Sequence, residues 1–172
     1  MAIRKSSARV AVLGVLTTLA VIMGYVEYLI PVINTAIPGI RFGMANIVIV
    51  MVLYIFSYRE ALAVSVLRLI INALLFGNIF SILFSLSGTA LSLLVMCLLK
   101  KTGLFSMTGV SAAGGAFHNI GQILMAWAIS GASSVLLYMP VLMTAGVLTG
   151  AFTGAAAYIV MRKLPWQEKD QL

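Results

Sequence analysis

Arg68 and His118 each stand deep inside a long apolar stretch, and each is followed four residues later by a carboxamide, Asn72 and Gln122. The second pair falls within "AFHNIGQILMAW", residues 116–127. A guanidinium, an imidazole and amides at one-turn spacing can bind a polar or anionic ligand through charge and directed hydrogen bonds. Hydrocarbon solvates none of them, and an arginine at the centre of a membrane costs a few kcal/mol or more unless it meets protein, water or ligand. Glu27, Asn46 and Arg41 add polar groups near the ends of neighbouring apolar stretches. The competing reading is that these residues satisfy one another between helices, Glu27 with Arg41 or Arg68 and His118 with a backbone carbonyl. A proton relay also uses His and Glu, but one histidine and one intramembrane carboxylate make a thin one.

The elements that carry these residues follow from composition. The chain of 172 residues is 62% hydrophobic and 9% charged, with a mean hydropathy of +1.13, which marks an integral membrane protein. A spanning helix needs about 20 residues, and the apolar runs between Pro and Gly breakers predict six spans at 8–30, 42–57, 60–77, 79–99, 109–130 and 134–161. The fold expected is all-α, a single six-helix membrane domain filling residues 1–172. The apolar run after Arg4, Lys5 and Arg9 continues to about Ile30 with no clear cleavage site, so it reads as an uncleaved helix rather than a signal peptide. Cys97, the one cysteine, cannot form an internal disulfide and reads as a small packing residue.

Nine of the eleven basic residues fall on one side of this topology: Arg4, Lys5, Arg9, Arg59, Lys100, Lys101, Arg162, Lys163 and Lys169. Cytoplasmic loops retain Lys and Arg, so both termini are expected in the cytoplasm of a multi-pass cell-membrane protein. The net charge of +7 is then a topology signal, and nucleic-acid binding is excluded for want of a basic face with interleaved aromatics. At 100° per residue, Ser111, Gly114, Gly115, His118, Gln122 and Met125 share one face of the fifth span, opposite Phe117, Ile120, Leu124 and Trp127. Ala61, Ser65, Arg68 and Asn72 share one face of the third. Arg68 and His118 both lie about nine residues from the cytoplasmic ends of their spans, near mid-membrane. With Asn72 and Gln122 one turn further out, and Glu27, Asn46 and Arg41 at the outer mouth, the polar groups outline an outward-opening ligand cavity.

Stripes of small residues run along three spans: Ser81, Ser85, Gly88 and Ser92 on the fourth, Gly146, Gly150, Thr153 and Ala157 on the sixth, and Ser7, Ala11, Gly14 and Thr18 on the first. Such stripes let helices approach closely. The first two read as packing within the bundle, the third as a docking face for a membrane partner. The four acidic residues, Glu27, Glu60, Glu168 and Asp170, form no aspartate cluster of the kind that holds Mg²⁺ on a diphosphate. A GxxxxGK[ST] loop, a Cys/His metal set and a nucleophile–base pair are also missing. The chain is therefore expected to be neither an enzyme nor able to power transport alone, and to need no cofactor and no metal.

The stretches "PGIRFGMANIVIVMVLY" (38–54), "LRLIINALLFG" (67–77), "SLSGTALSLLVMCLLKK" (85–101), "GVSAAGGAFHNIGQ" (109–122) and "YMPVLMTAGVLTGAFTG" (138–154) resemble the Gx transporter family, often labelled heptaprenyl diphosphate synthase component I. That family is similar to the S components of energy-coupling-factor importers, six-helix proteins that bind a vitamin-like nutrient from outside. The resemblance implies an S-component-like bundle, a small-molecule solute, a lid from the first connection, and a separate transmembrane scaffold with two ATPases as partners in the bilayer. S components commonly carry an alanine every fourth residue on the first helix, where this chain has Ser7, Ala11, Gly14 and Thr18. The alternative implied by the family label is a non-catalytic membrane subunit associated with polyprenyl diphosphate synthesis, and a self-sufficient secondary transporter is a third reading.

Overall fold

The computed structural model describes residues 6–29, 43–76 and 79–164. They form six α-helices: α1 (Ser6–Leu29), α2 (Met44–Ile55), α3 (Tyr58–Phe76), α4 (Ile79–Thr102), α5 (Met107–Ser130) and α6 (Met139–Arg162). Among the described residues there is no strand. The helix ends have local causes. Gly43 opens α2 at φ 71° and Gly131 closes α5 at φ 67°, a left-handed conformation that a Cβ disfavours. The Ser106 side chain accepts the Gly109 N–H at 3.2 Å and caps α5.

The predicted spans coincide with these helices to within a few residues except at the start of the last. There, Ser133–Tyr138 form a 3₁₀ helix before α6 begins at Met139. Pro140 explains the break: it lacks an N–H, and its ring opposes an α-helical carbonyl four residues earlier, at Leu136.

Each helix packs on two or more others, in the cyclic order α1, α2, α6, α5, α4, α3 and back to α1, with α2 also touching α3. Successive helices run in opposite directions, so Arg9, Phe56, Glu60, Lys100, Met107 and Met161 gather at one end, here the lower end. α2 is buried all round: Val48 to Tyr54 are buried without a break, as expected of a helix apolar on every face. It is the axis of the lower core, which Leu16, Ala20, Ala61, Val64, Leu93, Met96, Val110 and Ala157 complete.

The stripes on α4 and α6 are used inside the bundle. A Cβ built on Gly146 would lie 2.5 Å from the Gly115 carbonyl oxygen, and one on Gly150 would lie 2.9 Å from the Ala112 Cα. α4 and α5 meet as closely: a Cβ on Gly121 would lie 2.8 Å from the Gly88 Cα. Ser92 lies in the same seam, against Gly114, and Ser85 is buried, whereas the Ser81 side chain lies outside the described residues. Cys97 is half-buried in α4.

Among the described residues, three stretches are long and apolar enough to cross a membrane: Ser7–Glu27, Ile82–Thr102 and Ser133–Arg162. Large apolar side chains such as Val15, Leu94, Leu148 and Phe152 cover the perimeter of the bundle. Length and an apolar perimeter together make the protein membrane-associated. The other three helices fall short for identifiable reasons. α2 has 12 residues, about 18 Å against a hydrocarbon core of about 30 Å; α3 carries Arg59, Glu60 and Arg68; and α5 carries His118, Asn119 and Gln122 among its glycines.

Candidate ligand site

The site is built around the first turn of α2. The Gly43 N–H donates to Glu27 Oε1 from α1, and the Asn46 N–H turns back to the Gly43 carbonyl at 2.7 Å. Arg68, 8% exposed on α3, donates from Nη2 to Asn46 Oδ1 at 3.5 Å. One turn higher on α3, Asn72 lies against Gly24 of α1, where a Cβ would overlap its amide nitrogen. The Asn72 Oδ1 is buried without a hydrogen-bond partner. Four residues expected at a ligand site, Glu27, Asn46, Arg68 and Asn72, are thus brought together from three helices.

His118 and Gln122 occupy the neighbouring seam. Both lie over Gly88 of α4: a Cβ there would come 3.1 Å from His118 Cε1 and 2.9 Å from Gln122 Cγ. Glycine at 88 is therefore the residue that lets two polar side chains pass between helices. Arg41, the remaining expected ligand residue, lies outside the described residues, as does the segment 30–42 in which the lid was expected.

Two polar residues had no role assigned from the sequence. Asn119, next to His118, points the other way and donates to the Leu142 carbonyl of α6; it is the interhelical tie that its neighbours were alternatively read to be. Thr89, beside Gly88, is 5% exposed and its Oγ1 has no hydrogen-bond partner. Ser65 Oγ, one turn below Arg68 on the same face, is in the same condition. A buried hydroxyl left unpaired costs on the order of 1–3 kcal/mol. The signal for Thr89 was in the sequence, four residues after Ser85 on a stripe that had been read as packing alone.

A family model described as heptaprenyl diphosphate synthase component I matches residues 16–160. The chain belongs to this family. No curated protein and no solved structure matches it. The matched region contains every described site residue. It also takes in all of α2 to α5 and most of α1 and α6. The family name is that of one part of a multi-component assembly, which makes the free surface of interest. Ser7, Ala11, Gly14 and Thr18 are all exposed. A Cβ on Gly14 would meet nothing within 4 Å, and the Thr18 hydroxyl turns back to the Gly14 carbonyl at 3.0 Å. That stripe is not used for packing inside the bundle.

The lower end is tied by charge. Arg9 of α1 pairs with Glu60 of α3, which also accepts from the Ser57 hydroxyl, and the Arg9 guanidinium lies 5.5 Å from the centre of the Phe56 ring. Lys100 of α4 donates to the Leu53 carbonyl at 2.6 Å and lies 4.6 Å from the centre of the Tyr54 ring. Lys100 thereby serves the negative end of the α2 dipole. Taken together, the upper site offers charge and hydrogen bonds for holding a ligand.

Proposed function

We propose that this protein captures a small, anionic or amphipathic solute from the outer side of the cell membrane and passes it inward with partners supplied in trans, a transmembrane scaffold and its ATPases. The observation that carries this reading is Arg68, buried among Asn46, Asn72 and Glu27 in a membrane-associated bundle. A cation at that depth is retained where it meets a pathway or a ligand. In this reading all six helices form a multi-pass domain with both termini cytoplasmic. The clustering of Arg9, Arg59, Lys100, Lys101, Arg162 and Lys163 at the lower end supports that orientation. α2 can be short because longer helices enclose it, so its length need not match the bilayer. The protein itself is a binding subunit and not an enzyme, and it works without a cofactor.

A second reading is a non-catalytic membrane subunit of polyprenyl diphosphate synthesis, favoured by the family description. Solute uptake by cells that co-express the scaffold and ATPases, compared with cells carrying an ATPase inactivated in its nucleotide site, separates the readings. Uptake that depends on ATPase activity supports the first. Stable assembly with a soluble prenyl synthase, with no uptake, supports the second.

A further inference from the structure

A lysine near the end of a spanning helix ordinarily runs outward to headgroups and water. Lys101 is exposed, as that rule expects. Lys100 turns inward. Its ammonium donates to the Leu53 carbonyl at 2.6 Å and lies 4.6 Å from the centre of the ring of Tyr54, a residue that is itself 8% exposed. Here the structure leaves a cavity of about 340 Å³ lined by Tyr54, Ile55, Phe56 and Lys100. Lys100 stands two residues from the end of the stretch Ile82–Thr102, about 3 Å along the helix axis, which puts the cavity at the depth of lipid headgroups.

The charge around this cavity is out of balance. Among the described residues the carboxylates are Glu27, bonded to the Gly43 amide at the upper end, and Glu60, which accepts from Arg9 and Ser57. Arg9 is thereby neutralised, and Lys100 is not. The end of α2 sets about half a negative charge against the full positive charge of the lysine. That end is also partly occupied, since the Val52 carbonyl accepts the Phe56 N–H at 2.9 Å and the Leu53 carbonyl accepts Lys100. The ammonium keeps further N–H donors beyond the one given to Leu53. Tyr54, which also lines the cavity, carries a hydroxyl that takes part in no hydrogen bond among the described residues. Arg9, Arg59, Lys101, Arg162 and Lys163 lie at the same end of the bundle. A basic cavity with spare donors at headgroup depth is suited to a phosphate group.

We infer that this cavity is a seat for the phosphate of an anionic phospholipid, drawn from the leaflet around the lower end, and that Lys100 is the residue that binds it. The seat uses none of the residues of the upper site and stands or falls independently of solute capture.

The test is thermal unfolding of the purified full-length protein in detergent, titrated separately with phosphatidylglycerol, phosphatidylcholine and inorganic phosphate at matched ionic strength. Phosphatidylglycerol should raise the melting temperature at the lowest concentration of the three. Lys100→Gln also loses a bond to α2, so the quantity to compare is the lipid concentration that gives half the full shift, which should rise roughly 10-fold. Lys101→Gln removes the same charge from an exposed position one residue away and should respond as the wild type does. If Lys100→Gln does not fold, Tyr54→Phe takes its place, keeping the ring beside Lys100 and removing the hydroxyl: a weaker lipid response supports the seat and an unchanged one overturns it. An equal loss in Lys100→Gln and Lys101→Gln would mean diffuse attraction to a basic surface and overturns the seat, as does a wild type indifferent to phosphatidylglycerol or equally stabilised by phosphatidylcholine. Inorganic phosphate as effective as the lipid would assign the cavity to a free anion and overturn the phospholipid.

Discussion

At the scale of residues, the two neighbours His118 and Asn119 make the contrast that organises the site. They are 100° apart on α5, so one turns to Gly88 of α4 and the other to Leu142 of α6. Asn119→Leu removes a single interhelical hydrogen bond, which in membrane bundles is worth about 0.6–2 kcal/mol. It should lower the melting temperature by several degrees and leave solute binding unchanged. Arg68→Ala should do the reverse, abolishing binding in a protein that still folds and inserts. If Arg68 were only interhelical glue, its loss would instead cost about 3–5 kcal/mol of stability with affinity intact, which circular dichroism melting beside a binding assay resolves. The polar face of α3 was legible because Arg68 and Asn72 repeat at helical spacing. The bond from Glu27 to the Gly43 amide was not, because a backbone donor carries no side-chain signature.

At the scale of helices, glycine has two opposite uses here. Gly146 faces the Gly115 carbonyl, where any side chain would collide with backbone, whereas Gly14 faces open surface. Gly146→Leu should push α5 and α6 apart and sharply reduce the yield of folded protein. Gly14→Leu should fold and bind solute normally but fail to co-purify with a tagged scaffold. Undiminished assembly of Gly14→Leu would remove α1 as the docking face, and size-exclusion chromatography of the two variants side by side reads both outcomes. The stripes themselves were legible as periodic small residues, but a stripe does not reveal whether it faces another helix of the same chain. The enclosure of α2 was hidden for a related reason: a helix apolar on all sides reads the same whether lipid or protein surrounds it. Lys100 was legible as a topological charge, while its reach to the Leu53 carbonyl depends on the packing of α4 beside α2.

At the scale of the whole molecule, the distribution of basic residues and the axial position of α2 together give the protein a direction. Its lower end is packed and cross-tied by Arg9, Glu60 and Lys100, and its polar site lies above that core. In a Cys97→Ser background, cysteines introduced at Lys101 and Lys163 should resist an impermeant thiol reagent in intact cells. One at Ser134, exposed at the upper end, should react. Labelling at Lys101 from outside would reverse the orientation and with it the direction of capture. The most direct test of solute capture is native mass spectrometry of the protein released from gentle detergent, wild type beside Arg68→Ala. A small molecule retained by the wild type and lost from a folded Arg68→Ala variant is the result expected. A wild-type protein that carries no small molecule, and instead holds a soluble prenyl diphosphate synthase in a stable complex, would contradict it.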